Sequence, residues 1–213
     1  MKIQSIAMLA VLFFFPVVLL STNYASHFYG GVIQKKEWTL ARNQKGIKVF
    51  VKSQENTKLK AFKAITTIDS PAKAIVAKLM DFDNYPNWME KCHTSKTLKK
   101  VSPTEYYYYH LTKAPWPAQN RDNIVHLNIK EDYQTGIITF DLQNAPDFIA
   151  EKSGIIRIHN FEASWILTPQ GDQKTKIEYK AFADPSGDLH TWLINTNLVN
   201  IPYLSLINLK NSL

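Results

Sequence analysis

The sequence predicts an α+β fold in which a curved antiparallel sheet wraps around one long C-terminal helix. Three features of the 213 residues support this prediction. Seven or eight segments with strand character follow one another, a single helix interrupts them early, and the segment 184–213 has helical periodicity. A final helix that is apolar over most of its circumference needs cover on more than one side, and a curled sheet provides it.

The first 25 residues differ from the rest because Ile6 to Leu20 is an unbroken apolar run behind Lys2. This run is shorter than the roughly 20 residues of a membrane span and has the length of a signal-peptide core. Cleavage is expected after Ala25, although Asn23 stands where a small residue is usual. The alternative is an uncleaved anchor that tethers the protein to a membrane. Both interpretations predict export, periplasmic or secreted, of one domain spanning residues 36–213.

Composition narrows the class of protein further. The formal net charge is +7, of which Lys2 supplies one, so the chain after residue 25 carries +6. This balance favours anionic surfaces such as lipid headgroups. The basic residues are scattered, so we expect no nucleic-acid partner. We also expect the protein to be a monomer. The lone Cys92 excludes an internal disulfide and a multi-cysteine zinc site, and we expect it to be a buried apolar residue.

The domain is predicted to open with a short helix from Trp38 to Gln44 that ends at Gly46. Two strands are expected next, at 47–52 and 59–68, because apolar and polar residues alternate there.

The only early helix is predicted to follow Asp69. Ser70 is the expected N-cap and Pro71 the first helical position of a helix that runs to about Met80. Tyr85 to Trp88 should form a compact loop or a single helical turn.

The remaining strands are separated by turn residues and by a proline-rich loop at 113–120. They are predicted at 95–101, 105–112, 121–131, 135–142, 155–168 and 174–182.

The final helix should begin after the turn Asp184-Pro185-Ser186-Gly187. A stripe at steps of three and four residues runs along it, formed by Leu189, Trp192, Thr196, Val199, Tyr203 and Leu206. We expect Pro202 to kink the helix. The stretch Leu189 to Tyr203 is predicted to form a pocket floor, where Trp192, Val199 and Tyr203 are candidate ligand contacts.

Arg121 is the most informative polar residue. Regular alternation places it on the same strand face as Val125, Leu127 and Ile129, which should point inward. An inward arginine requires a partner. One interpretation is that it binds a ligand headgroup, and the other is a salt bridge to the 115–117 loop or to the final helix.

Four consecutive tyrosines must divide between the two faces of their strand. Tyr106 and Tyr108 share one face with His110, whereas Tyr107 and Tyr109 share the other. One pair should lie in a pocket wall, and alternation alone does not say which.

Taken in order, several short segments from Trp38 to Leu213 resemble the START lipid-transfer domains, especially bacterial members. These segments are Trp38, Lys60-Ala61-Phe62-Lys63-Ala64, Tyr85 with Trp88, Pro115-Trp116-Pro117, Asn120-Arg121-Asp122, Gly154-Ile155-Ile156-Arg157, Trp165 and Asp184-Pro185-Ser186-Gly187. The resemblance implies a helix-grip fold, of the START or Bet v 1 type, with a lipid-sized tunnel between sheet and helix. Cholesterol-binding members have a buried acidic–basic pair, for which the matching positions are His110 and Leu127. This departure implies a pocket governed by apolar contact.

The expected function is therefore that of an exported carrier that binds a lipid or another hydrophobic small molecule. Candidate ligand contacts are Tyr108, His110, Leu127, Arg121 and the helix residues above. No catalytic motif, metal-ligand spacing or cofactor-binding loop is present in the sequence, so we expect no enzyme and no cofactor. The alternatives are an aromatase/cyclase-like enzyme on the same fold and a non-catalytic interaction module with a filled core. Weak contact with anionic membranes is also expected.

Overall fold

Ten strands and two α-helices make up the part of the chain that the structure describes. The structure is a computed structural model that describes residues 37–213 except 188 and 190, without the side chains of 191–193. The signal peptide or anchor predicted for residues 1–25 lies outside the described residues. The strands are β1 (Thr39–Gln44), β2 (Ile47–Ser53), β3 (Lys60–Ile68), β4 (Cys92–Ser102), β5 (Glu105–Thr112), β6 (Asn120–Asp132), β7 (Ile137–Asn144), β8 (Ile155–Arg157), β9 (Asn160–Pro169) and β10 (Thr175–Asp184). The helices are α1 (Ala72–Met80) and α2 (Thr191–Asn211), and short 3-10 turns cover Phe82–Asn87 and Pro146–Phe148.

The strands form a single sheet in the order β1-β2-β3-β10-β9-β7-β6-β5-β4. All neighbours along this order are antiparallel, and β8 pairs with β6 in parallel, off the main path. Because β10 joins β3 to β9, the last strand pairs with the third strand and brings the N-terminal strands β1 to β3 into the same sheet. The α+β fold with its C-terminal helix is confirmed.

The segment 38–44, predicted as a helix, is a strand. β1 and β2 form a hairpin closed by Lys45 and Gly46, whose φ angles are +49° and +72°. Two consecutive positive φ angles are the signature of the two-residue turn that matches the twist of paired strands. The sequence prediction treated Gly46 as a helix stop, whereas it is the second residue of a hairpin turn.

The start of α1 differs from the prediction by one position. Pro71 is the N-cap with extended backbone angles, and no side chain caps the helix. Ser70 is buried, and its carbonyl accepts a hydrogen bond of 2.8 Å from the hydroxyl of Thr175 on β10. The hydrogen bond from Thr175 to Ser70 therefore ties the start of the helix to the sheet.

The long strand predicted at 155–168 is two strands. β8 ends at Arg157, and β9 starts at Asn160. The side chain of Arg157 is buried and bound to Asp122, which holds β8 against β6 instead of letting it continue into β9. This break is one reason why the structure has ten strands and not the seven or eight that the sequence predicts.

The C-terminal half of α2 is anchored in the core. Tyr203, Leu206 and Leu209 are buried there, and Pro202 lies within the continuous helix. The hydroxyl of Ser205 accepts a hydrogen bond of 3.0 Å from the backbone amide of Glu90. The kink expected at Pro202 stays a prediction.

Aromatic rings fill much of the space between sheet and helices. Phe82 stacks on Tyr108 with ring centroids 4.5 Å apart, and Trp165 stacks on Tyr179 at 3.8 Å. Trp88 packs edge-on against Trp165 at 6.4 Å. These rings separate the fully packed part of the interior from the pocket described next.

Candidate functional site

A pocket of about 250 Å³ lies between the sheet and the N-terminal half of α2. The sheet side comes from β3, β5, β6, β7, β9 and β10, and the helix side from the first turns of α2. Apolar side chains form most of its wall: Phe62, Met89, Val125, Leu142, Ile158, Phe161, Leu189, Ile194, Leu198 and Ile201. Ala181 and Ala183 on β10 leave room where larger residues would fill the space.

The polar part of the wall lies on β5 and β6. His110 is paired with Asn123 across the two strands, and Thr112 is paired with Arg121 one rung further along. Directly paired residues on antiparallel strands point to the same face, and all four line the pocket. The sheet therefore presents a small polar region at one side of an otherwise apolar pocket.

Burial keeps four titratable groups of this region neutral at pH 7, those of His110, Cys92, Tyr108 and Tyr179. Burial lowers the pKa of His110 to about 4 and raises the pKa of the Cys92 thiol to about 12. Burial likewise raises the pKa values of Tyr108 and Tyr179. The Sγ atom of Cys92 lies 3.7 Å from Nδ1 of His110. Since these values lie far from neutral pH, the groups are not prepared for acid–base or thiolate chemistry.

Arg121 binds the turn before α2. Its Nε donates to the carbonyl of Pro185 at 3.3 Å, and its Nη2 donates to the carbonyl of Ser186 at 3.3 Å. Its Nη1 donates to the carbonyl of Gln119. The guanidinium is 4 % exposed, and this burial lowers its pKa. All three partners are backbone carbonyls, two of them in the turn. The sequence had suggested a ligand headgroup or a salt bridge instead.

The same turn explains the glycine that follows. Gly187 has a φ of +66°, and a Cβ there would lie 2.9 Å from Cδ1 of Ile156. Only glycine combines this backbone angle with so close an approach. The turn is thereby held against both Arg121 and β8.

A second buried arginine is on the other face of the sheet. Arg157 donates to both carboxylate oxygens of Asp122, at 2.7 and 3.2 Å. It also donates to backbone carbonyls of the 146–150 segment. This segment covers a small second core around Tyr109, Leu111 and Ile124, which places Tyr107 and Tyr109 on the face away from the pocket.

Three of the predicted ligand contacts line the pocket: Tyr108, His110 and Arg121. Their contact with a ligand stays a prediction. The tyrosine pair on the pocket side is now identified, since Tyr106 and Tyr108 both belong to the main core.

Three of the other predicted contacts, Leu127, Val199 and Tyr203, do not line the pocket. Leu127 is paired with Tyr106, two rungs beyond the pocket, and is packed in the core. Val199 packs against the core, because the helix face that lines the pocket carries Ile194, Leu198 and Ile201 instead. Tyr203 is buried under the guanidinium of Arg42, 4.3 Å from its ring centroid. The side chain of Trp192 lies outside the described part of the structure.

Sequence reasoning missed Asn123 although the signal was present. Asn123 is two residues after Arg121 and two before Val125, so period-two alternation places it on the same inward face. It is 4 % exposed, and its side-chain oxygen has no hydrogen-bond partner among the described residues. Tyr179 and Phe161 were also missed, although each lies on the more apolar face of its strand.

The 113–119 loop borders the opening of the pocket. Lys113, Ala114 and Pro115 line the pocket, and Trp116 projects from the same loop with 93 % of its surface exposed. The amide of Ala114 donates to the side-chain oxygen of Asn120 at 3.1 Å, which fixes the base of the loop. An exposed tryptophan therefore stands beside the entrance.

Residues 37–213 apart from 188 and 190 contain no cluster of histidine, cysteine and acidic residues suited to a metal ion. Within this same stretch, neither helix has the length and apolar character of a membrane span.

A curved antiparallel sheet around a C-terminal helix, with an apolar pocket between them, defines the helix-grip class of proteins. The chain belongs to the START domain family, whose model matches residues 30–201. A solved structure of a STAR-related lipid transfer protein from Xanthomonas axonopodis is 31 % identical, with a TM-score of 0.76. The match covers 82 % of this chain and 97 % of that one.

Three further similarities span most of the domain. An uncharacterized protein of Pseudomonas aeruginosa is 28 % identical over 197 residues, covering 92 % of this chain and 96 % of the relative. Human phosphatidylcholine transfer protein is 24 % identical over 165 residues, covering 75 % of each chain. The structure of human STARD10, at 18 % identity and a TM-score of 0.72, has the same fold over 82 % of this chain and 72 % of that chain.

Proposed function

We propose that this protein is a non-catalytic carrier that binds a lipid or a similar hydrophobic small molecule in the pocket between sheet and α2. The observation that carries the proposal is the pocket itself, which is walled by apolar side chains and has one small polar region. Burying apolar ligand surface there contributes roughly 0.8 kcal/mol per methylene group. The similarity to a bacterial STAR-related lipid transfer protein and to human phosphatidylcholine transfer protein supports the same ligand class.

Loading requires movement of the N-terminal half of α2. The pocket volume of about 250 Å³ lies just below the roughly 300–1,000 Å³ of small-ligand sites. A lipid with long acyl chains needs more room. The C-terminal half of α2 is fixed by buried side chains and by the Ser205 and Asn208 hydrogen bonds, whereas the first turns border the pocket. The first turns therefore serve as the lid in this proposal.

The neutral state of the pocket residues favours a carrier over a cyclase-like enzyme. His110, Cys92 and Tyr108 all have pKa values displaced by burial away from neutral pH. An acid or base catalyst needs a pKa near the working pH. An interaction module with a filled core is disfavoured because the pocket is open.

Contact with membranes is proposed through the loop at the entrance. Trp116 is exposed, Lys113 lies beside the pocket opening, and the chain after residue 25 carries a net charge of +6 of the total +7. Tryptophan prefers the membrane–water interface, and basic residues are attracted to anionic headgroups. Binding to anionic vesicles should be weak and should fall with salt. Trp116→Ala should weaken it, whereas Tyr133→Ala, at another tip that is 90 % exposed, is the matched control. Equal loss in both variants, or binding that salt leaves unchanged, would contradict this role.

Export remains a proposal from the sequence, based on the apolar run from Ile6 to Leu20. We propose a periplasmic or secreted location, with the membrane-tethered form as the alternative, and a monomeric carrier.

Native mass spectrometry of the protein purified from cells tests the carrier function directly. The expected result is a co-purifying hydrophobic molecule that organic extraction removes. Leu198→Trp, which fills the pocket from the helix side, should abolish co-purification while the protein stays folded. Ile207→Trp, on the same helix beyond the pocket, is the control for the added bulk. A folded wild-type protein that carries nothing and takes up no lipid from vesicles would refute the proposal.

A further inference from the structure

A row of three uncharged polar side chains runs across β4, β5 and β6, and two of the three line the pocket. His110 on β5 is directly paired with Ser95 on β4 and with Asn123 on β6. Cross-strand partners share one face of the sheet, so all three side chains lie on the face towards the interior. Ser95, His110 and Asn123 are the polar row.

The polar row has hydrogen-bonding capacity that the protein does not use. Ser95 is 6 % exposed and Asn123 is 4 % exposed. The side-chain oxygens of both lack a hydrogen-bond partner within the described residues. A buried polar atom without a partner is destabilising. The unpartnered oxygen of Asn123 belongs to a residue that lines the pocket, which indicates that a ligand completes its bonding.

The chemistry of the row specifies what that ligand offers. A hydroxyl and a carboxamide each contain a donor and an acceptor, and so does a neutral imidazole. His110 stays neutral at physiological pH, because burial lowers its pKa to about 4. A lipid hydroxyl also donates and accepts, whereas a phosphate diester only accepts and would leave the oxygen of Asn123 without a donor.

The one cation on the same strand face is already engaged. Each nitrogen of the Arg121 guanidinium donates to a backbone carbonyl, and these bonds fix the turn before α2. At the entrance, the charge of Lys91 is accompanied by that of Glu90, with 3.9 Å between Nζ and Oε1. Arg121 and Lys91 therefore offer an anionic headgroup little that is not already bound, which leaves Lys113 as the remaining cation of the pocket lining.

We propose that the polar row is a headgroup subsite that selects lipids with an uncharged, hydroxyl-bearing head over lipids with a phosphate head. This inference rests on the proposed lipid-carrier function and narrows its ligand class to neutral lipid alcohols, such as a diacylglycerol. The hydroxyl hydrogen-bonds to Asn123 and His110, and the acyl chains lie along the apolar wall.

Titration calorimetry of the delipidated protein with two short-chain probes tests the inference. The probes are dioctanoylglycerol and dioctanoyl phosphatidylcholine, which share their acyl chains and differ in the head, the second being a phosphate diester without a donor. We expect dioctanoylglycerol to bind at least about tenfold tighter, the equivalent of one hydrogen bond. Phosphatidylcholine that binds equally well or better would overturn the subsite while leaving the carrier function intact. Failure of both probes and of longer-chain lipids to bind would overturn the carrier function itself.

Substitution of one residue of the row separates recognition from folding. Asn123→Leu removes the unpartnered oxygen and keeps the side-chain volume similar, so the melting temperature should be unchanged or higher. Its preference for dioctanoylglycerol should fall about tenfold. Asn144→Leu is the control, since Asn144 also has a buried side-chain atom without a partner but does not line the pocket. A preference that survives in Asn123→Leu, and in Asn123→Ala should the leucine variant not fold, would refute the role of the row.

Discussion

Replacing Arg121 by leucine is the substitution that best tests how the pocket is closed. The buried guanidinium donates to carbonyls of Gln119, Pro185 and Ser186, and none of these contacts involves a carboxylate. Leucine puts an apolar side chain in the place of the arginine and removes every hydrogen-bond donor. The turn at 184–187, which leads into α2, then loses its connection to β6.

The expected loss of stability follows from these contacts. Hydrogen bonds from a charged donor contribute about 1.5–3 kcal/mol each. Pro185 and Ser186 are half-buried, so water replaces part of what the arginine provided. Burial also lowers the pKa of Arg121, which shows that the charge is held at a cost that leucine removes. The net decrease in the free energy of unfolding should be about 2–4 kcal/mol, equivalent to about 5–15 °C in melting temperature.

Thermal unfolding and lipid uptake should be measured together, with Arg157→Leu as the matched variant. Arg157 is equally buried but pairs with Asp122 at 2.7 Å, so its loss leaves an unpaired buried carboxylate and should cost about 3–5 kcal/mol. Arg121→Leu should speed the exchange of bound lipid, because the turn next to the lid is released. Arg157→Leu should change stability without changing exchange. A variant at position 121 that is as stable as the wild type and exchanges lipid at the same rate would refute this account of the turn.

Two further outcomes are expected. The pKa of His110 is about 4 in the folded state and about 6.5 when unfolded, so between these values the unfolded chain binds the extra proton. The free energy of unfolding should therefore fall by up to about 3 kcal/mol as the pH drops from about 6.5 to about 4. Denaturant titrations across this range measure it, and a pH profile that His110→Gln does not flatten would contradict the prediction. Truncation after Asn200 should abolish folding, since Tyr203, Leu206 and Leu209 each contribute about 1.5–3 kcal/mol of burial, together comparable with the whole stability of a domain; a soluble truncated protein with cooperative unfolding would disprove this.

The strand pattern and the final helix could be predicted because local alternation and periodicity encode them. β2, β3, β5 and β6 follow the period-two pattern closely, and the 175–184 strand ends where the Asp184-Pro185 turn signal begins. The hairpin at Lys45-Gly46 was missed because a helix stop and a two-residue hairpin turn can share a glycine. Only the pairing partner distinguishes them, and pairing is not local.

The pocket was harder to predict than the fold. Alternation placed Arg121 and Tyr108 on the inward face. Inward residues on β6 differ in their surroundings, however, because Asn123 lines the pocket whereas Leu127 packs in the core. That difference depends on which element covers each rung of the sheet. The side-chain contacts of Arg121 and Arg157 are equally non-local, since their partners are 64 and 35 residues away.

The uneven anchoring of α2 supports the proposal that its first turns act as a lid. Beyond Pro202 the helix is fixed by buried Tyr203, Leu206 and Leu209 and by the Asn208 side chain, which donates to the carbonyl of Trp88 at 3.0 Å. Before Asn200, the helix residues Ile194, Asn197 and Leu198 line the pocket, and Arg42 donates to the Asn200 side chain at 3.0 Å near the boundary between the two halves. Local opening costs least where few apolar contacts are lost. We therefore expect the first turns of α2 to separate from the sheet while the second half keeps the core intact, and the Arg121 contacts to the preceding turn to set how readily this happens.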